Sequence, residues 1–340
     1  MTLPQDMLAI TIAAPGGPEV LTPQRVPLPQ IEATDVLIRV AAAGVNGPDL
    51  AQRRGHYDPP PGASPLPGLE VAGEIVAVGD KVSGFASGDR VMALTNGGGY
   101  AEYAAVPSGQ VLPVPDGWSL EQAAALPETW FTVTQTLVMR SGLRSGMTVL
   151  VHGAAGGIGG AAIQISGILG AKAIGIVSDD DKANYCAELG AVAVIDRTRE
   201  NIAERVMALT DGRGADRIVD LVGGPMLAVN VAAAARGGHI VQISTLEGAT
   251  ATMPLRQMMA RELTLSGSTL RPQTAETKAA IAARIRSDLL PALSSPGFAR
   301  PEIATFPMER ASDAHAAMET RRHRGKLVLV TAFGSGEQLS

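Results

Sequence analysis

Two kinds of hydrophobic pattern divide the chain near residue 125. Before that point, short apolar-alternating runs stand between proline and glycine clusters: "DVLIRVAAAG", "EVAGEIVAVG", "DRVMAL" and "YAEYAAVP". Runs of this kind predict the strands of a β-rich domain. The stretch "YDPPPGASPLPG" (57–68) holds five prolines and is predicted as a loop. After residue 145 the pattern changes. Strand-like runs at 148–152, 173–177, 191–195, 217–222, 239–244 and 263–268 are separated, over the first five, by helix-like stretches. In the clearest of these, Ile158, Ala161, Ala162, Ile165, Ile168 and Leu169 fall on one helical face. Such alternation predicts right-handed crossovers and a doubly wound parallel sheet. From about 274 a helical stretch leads to "GKLVLV" (325–330), a strand able to return to the first domain.

The first strand–helix junction of the second half reads "HGAAGGIGGAA" (152–162). Gly153, Gly156 and Gly159 form G-x-x-G-x-x-G, with Gly157 and Gly160 as further glycines. At this address the pattern predicts a tight turn whose main chain approaches a pyrophosphate. The candidate cofactor contacts are Gly153, Ala154, Ala155, Gly156, Gly157, Ile158 and Gly159, with the helix N-terminus adding partial positive charge. The choice of dinucleotide depends on the end of the second strand. Taken as Ala173–Val177, that strand ends without an acid, and Ser178 follows. Asp179–Asp181 then admit two readings. Either an acid closes the strand and binds the ribose hydroxyl of NAD, or Ser178 is an N-cap with Asp181 at N3 of a capping box. The second reading leaves Lys182 and Arg197 as cations for a 2′-phosphate, and the expectation is NADP(H).

Composition narrows the classes. A chain of 340 residues suits two domains. Aromatics are only 3% against 46% hydrophobic residues, so the cores must be built from Ala, Val, Ile and Leu. A net charge of −5 with scattered Lys and Arg argues against nucleic-acid or anionic-membrane partners. Cys186 is the only cysteine, which rules out an internal disulfide framework and any multi-cysteine metal site. "MTLPQDMLAI" lacks the features of a signal peptide, and no apolar run reaches the roughly 20 residues of a membrane span. A cytoplasmic setting is expected.

Several further segments fall in a telling order: "AAAGVNGPDLAQRRGHYDPPPG", "PGLEVAGEIVAVG", "GDRVMAL", "GGYAEYAAVP", "HGAAGGIG", "ELGAVAVID" and "GKLVLV". With them the chain resembles the medium-chain dehydrogenase/reductase superfamily, specifically its zinc-free quinone oxidoreductase branch. The resemblance implies an α/β chain with a GroES-like β-rich catalytic domain (1–126 and 290–340). It also implies a Rossmann NADP-binding domain (127–289) with a doubly wound parallel six-stranded sheet. Where the zinc alcohol dehydrogenases have a ligating Cys, this chain has Asn46, and their Gly-His-Glu is Gly68-Leu69-Glu70. Leucine cannot ligate and an amide oxygen is a poor zinc ligand, so no metal residue is assigned. His56 and His152 each stand alone.

Without a Lewis acid the implied acceptor is one that takes hydride easily, a quinone or an activated enone. Asn46 and Tyr57 match positions where these relatives place active-site residues, and are the catalytic candidates. The competing readings are a turn residue in "NGPD" for Asn46 and a loop aromatic packed on prolines for Tyr57. Thr132, in "PETWFTV", matches the segment that approaches the nicotinamide half. Ser244, Ser268, Leu270 and Arg271 fall where the family wraps the nicotinamide end and the phosphates. Lys326 matches the family's "GK", and Arg197 stands where many relatives carry tyrosine. The implied function is NADPH-dependent hydride transfer to a small-molecule quinone or enone. The alternatives are an enoyl-thioester reductase and a crystallin-like protein that holds NADPH without turnover. The resemblance also implies a homodimer, paired along the sixth strand, "LTLSGST".

Overall fold

The alternating runs of the first half form strands whose inward positions close an apolar core. The computed structural model describes residues 3–336. Along the chain, β1 (Asp6–Ile12) and β2 (Leu21–Pro27) pair as an antiparallel ribbon. Then come β3 (Asp35–Gly44), β4 (Glu70–Val78), β5 (Arg90–Leu94), β6 (Tyr103–Pro107) and β7 (Val111–Pro113). The alternating region follows with β8 (Thr148–Val151), β9 (Lys172–Val177), β10 (Ala193–Asp196), β11 (Ala215–Asp220), β12 (Ala234–Gln242) and β13 (Thr264–Gly267). Last are β14 (Ile303–Pro307) and β15 (Lys326–Val330).

These elements sort into two compact units. The first takes the chain up to Phe131, Arg271–Pro296, and Glu302 onward. Its seven-stranded sheet runs β14-β15-β3-β4-β5-β7, with β6 also paired to β3. β3 is central because its sequence allows it: "DVLIRVAAAG" offers apolar or small residues to both faces, and eight of its ten positions are buried. Ile38, Val40, Val71, Ile75 and Leu329 meet in the core beside this sheet. The strand expected to return to the first domain does so: β15 pairs antiparallel with β3, Val328 opposite Gly44.

The second unit holds Thr132–Leu270 and Gly297–Pro301. Its six strands are all parallel, in the order β10-β9-β8-β11-β12-β13. This is the doubly wound Rossmann arrangement, and the order reverses beside β8, the place at which sheets of this kind bind their ligands. β8 is buried along its whole length, as a strand covered on both faces must be. β13, at the edge, is the exception: no position of it is fully buried, and Leu265 is 39% exposed.

The units do not divide where the resemblance places the boundary. The helix Ala275–Asp288, expected in the nucleotide domain, belongs to the first unit. Long-range bonds explain this: Lys278 reaches the Asn96 side chain, Arg286 the carbonyl of Val111, and Trp118 the carbonyl of Leu293. Among the described residues no helix is long and apolar enough to cross a membrane.

Candidate functional site

In the second unit, β8 runs into the glycine-rich turn. Gly153 adopts φ +59°, the left-handed bend that turns the chain into the helix Gly157–Ile168. A Cβ on Gly159 would lie 2.3 Å from the Gly153 carbonyl oxygen and 2.5 Å from Ala154 Cα. Both obstacles are backbone, so only glycine lets the helix sit this close. Two of the amides expected to face a ligand are bonded inside the protein: Ala154 N–H to Ile176, and Gly156 N–H to Gly153. The helix begins at Gly156 with no side-chain cap. Its first-turn amides at Gly157, Ile158 and Gly159 are therefore the unsatisfied donors of a helix N-terminus, which suits a pyrophosphate.

Beneath this turn lies a polar chain that the sequence did not signal. His152 Nε2 is 2.7 Å from Asn230 Oδ1, and Asn230 Nδ2 donates to Asp220 Oδ2 at 2.8 Å. Because the amide oxygen can only accept, His152 must carry its proton on Nε2. Burial, the largest cause, pushes the imidazole pKa below its usual value and keeps the ring neutral. Asp220 Oδ1 in turn accepts from the amides of Val222 and Gly223, at 2.6 and 3.0 Å. The chain thus locks the turn after β8 to the turn after β11.

At the end of β9 the strand stops at Val177, as expected. The helix N-cap is Asp179 rather than Ser178, which puts Lys182 at N3, so the expected Ser178–Asp181 capping box does not form. Asp179 accepts the Lys182 amide at 2.9 Å, and that bond is the main cause of its lowered pKa. The Lys182 ammonium lies 3.3 Å from the Ser178 hydroxyl and 3.2 Å from Asp179. Arg197 donates its backbone N–H to Val177, and its guanidinium is half exposed near Glu247. Ser268 donates to Gln135 at 3.0 Å, Thr132 accepts the Thr136 hydroxyl at 2.7 Å, and Ser244 accepts Gln242 at 2.6 Å through its carbonyl. Leu270 is buried.

In the first unit Asn46 caps the helix Gly47–Arg53, and Asp49 returns a bond to the Asn46 amide N–H at 2.9 Å. The Asn46 side chain is turned inward. Its Nδ2 donates to Glu70 at 2.8 Å, and its Oδ1 accepts from Lys326 at 2.5 Å. The donor expected for a substrate oxygen is therefore engaged. Lys326 is buried, with its ammonium bonded to Glu70, Asn46 and the Val45 carbonyl, so all three of its donors are used. The expected cofactor contact is not available from it. Arg271 is likewise engaged, with Gln52 and the Asn96 carbonyl.

Tyr57 is half-buried, with the Arg271 guanidinium 5.5 Å from its ring centre. No hydrogen bond reaches its hydroxyl among the described residues, and burial followed by the charge of Glu128 raises its pKa. Glu70 and Asp49 use all their oxygens: Glu70 also accepts the Glu128 amide, and Asp49 the Gly68 amide. Behind them, buried Arg53 donates to His315 Nδ1, and His315 Nε2 meets the Tyr100 hydroxyl at 3.0 Å. Arg53 can only donate, so His315 must pass its own proton toward Tyr100, whose hydroxyl points to Asp49.

A β-rich unit and a six-stranded parallel sheet headed by a glycine-rich turn define the class of two-domain dehydrogenases and reductases. Two family models match, "Alcohol dehydrogenase GroES-like domain" over residues 32–116 and "Zinc-binding dehydrogenase" over residues 157–284. The quinone oxidoreductase of Mus musculus is 34% identical over 332 residues, 95% of this chain and 98% of the mouse protein. That of Pseudomonas aeruginosa is 35% identical over 324 residues, 94% and 98% of the two chains. The solved structure of Escherichia coli quinone oxidoreductase complexed with NADPH aligns at a TM-score of 0.80 and 28% identity, covering 95% and 99%. The chain belongs to the medium-chain dehydrogenase/reductase superfamily, in its quinone oxidoreductase branch, and is an oxidoreductase.

Gly159→Ala should cost about 1–3 kcal/mol of stability, because neither backbone obstacle can yield cheaply. Denaturant unfolding of the purified variant checks this. A wild-type midpoint would mean that the turn relaxes freely.

Proposed function

We propose that the protein is an NADPH-dependent, metal-independent reductase of quinones and other activated enones. The observation that carries this reading is the likeness to quinone oxidoreductases along 95% of the chain. It favours a quinone over an enoyl thioester, and turnover over storage of the cofactor. When bound, the nicotinamide supplies the hydride. The amides of Gly157, Ile158 and Gly159 hold the pyrophosphate. Ser178 and Lys182 take the 2′-phosphate, while Asp179 is occupied as the cap of its own helix. Thr132, Ser244, Ser268 and Leu270 serve the nicotinamide end.

Tyr57 is the donor to the acceptor oxygen, where negative charge builds as hydride arrives. Its raised pKa keeps the phenol protonated across neutral pH. Asn46 acts as a positioning residue, bridging Glu70 and Lys326. Metal independence rests on the donor set. Leu69 is apolar, and the Asn46 amide oxygen already faces the Lys326 ammonium, which repels a second cation. NADPH oxidation followed by absorbance with a panel of quinones tests the reading. Turnover should survive a chelator, and reduction of enoyl thioesters alone would reassign the acceptor.

NADPH should bind more tightly than NADH. Lys182→Glu should weaken NADPH by about 1–3 kcal/mol and leave NADH nearly unchanged, as read by fluorescence titration. Equal losses for both cofactors would remove Lys182 from the phosphate. Tyr57→Phe keeps the ring and deletes the hydroxyl, so kcat should fall roughly 5- to 150-fold with little change in KM. Wild-type kcat on every accepted quinone would show that the pocket acts by shape.

We further propose a cytoplasmic homodimer formed along the β13 edge, which leaves a row of backbone groups unpaired. Light scattering should give a dimer mass at micromolar concentration, and Leu265→Glu should shift it toward the monomer. A monomeric wild type removes the edge from consideration.

A further inference from the structure

A pocket of about 230 Å³ opens in the first unit where the β1–β2 ribbon, β6 and the segment after β15 meet. Its chemistry begins with the pleat of β3. Val36, Ile38 and Val40 enter the core, so Arg39, between the last two, leaves by the opposite face. Tyr103 lies directly across from Arg39 on β6 and projects from that same face. After β15 the Thr331 hydroxyl donates to the Val40 carbonyl at 2.6 Å, which ties the short helix Ala332–Ser335 to β3. Phe333 of that helix meets the Arg39 guanidinium, whose Cζ is 4.2 Å from the ring centre. Stacking steadies the plane of the guanidinium and leaves its N–H edge as a donor fork. Neither that edge nor the Tyr103 hydroxyl has a hydrogen-bond or ion-pair partner among the described residues. The other cation of the pocket is already matched. Arg25 lies 3.5 Å from Glu102, which also accepts the Leu8 amide at 2.7 Å. Glu102 and Asp6 balance the two arginines, so the lining carries no net charge.

We propose that this pocket is a second small-molecule site, formed by none of the cofactor or acceptor residues, and that it takes an aromatic monocarboxylate. The carboxylate accepts from the Arg39 fork and the Tyr103 hydroxyl, while the Phe333 and Tyr103 rings offer apolar surface to the ligand ring. Size limits the ligand to about one ring, because sites for drug-sized molecules begin at roughly 300 Å³. Charge limits it to one negative group. Asp6 and Glu102 oppose a dianion about twice as strongly as a carboxylate at the same distance. Every lining residue belongs to the first unit. The ligand thus bridges Arg39 on β3, Tyr103 on β6 and Phe333 beyond β15. Occupancy holds the end of the chain against the sheet and stabilises the folded protein.

Benzoate is the probe, titrated into the purified protein with benzylamine as the cationic control. Saturation-transfer NMR should show benzoate bound at millimolar concentration and benzylamine not bound. The thermal midpoint should rise with benzoate concentration. Arg39→Gln should weaken benzoate by about ten-fold or more, the loss expected for a charge-assisted pair. Tyr103→Phe keeps the ring and should weaken it by about two- to ten-fold. Saturating NADPH should leave the benzoate affinity unchanged. Failure to bind benzoate, or a preference for benzylamine, overturns the proposal. So does wild-type affinity in Arg39→Gln, or displacement of benzoate by NADPH, which would move the ligand to the cofactor site. Should Arg39→Gln fail to fold, Tyr103→Phe decides, and wild-type affinity in that variant overturns the proposal. No readout here depends on turnover, so the result stands or falls apart from the choice of acceptor.

Discussion

The buried ion pair between Lys326 and Glu70 is the constraint on which the first unit depends. The two side chains are 4% and 0% exposed, so each charge is tolerable only because the other is there. Removing either partner would strand the other in the interior, at a cost of roughly 3–5 kcal/mol. The pair also has consequences beyond its own energy. It joins β15 to β4, engages the Asn46 amide from both ends, and leaves one Glu70 oxygen to fix the start of the helix that carries Glu128.

The second unit is organised by a different principle, the placing of main-chain donors. Its glycines remove side chains where backbone must meet backbone, and the helix opens without a cap. The neutral His152 ring, bonded through Asn230 to Asp220, then holds two neighbouring turns in register. Anion binding needs donors fixed in advance, and a hydrogen-bonded chain with a single possible polarity fixes them well.

What could be read from the sequence followed from periodicity and steric necessity. The parallel strands, their order of appearance and the glycine turn were all legible, because apolar runs and close backbone approach leave marks on the sequence. Contacts distant in sequence were not. The helix Ala275–Asp288 looks equally at home in either unit until Lys278 is seen to reach Asn96. Ser178 and Asp179 are both good caps, and spacing alone does not choose between them. Asn46 was found as a residue of interest, but the direction of its amide depends on Glu70 and Lys326, which lie 24 and 280 positions away.

The path of the chain has a further consequence, for the order in which the protein can be assembled during synthesis. The six strands of the parallel sheet lie within residues 148–267, so every pairing they need exists before the chain is complete. The seven-stranded sheet is different. β15 must pair with β3, and Lys326 must find Glu70, more than 250 residues after those partners leave the ribosome. Until then β3 exposes the edge at Ala42–Gly44, and Glu70 carries a charge with no ammonium to meet it. A nascent chain arrested near residue 300 would therefore hold a finished nucleotide sheet beside an N-terminal half unable to close. Damage to the last strand is felt first in the part of the protein made earliest.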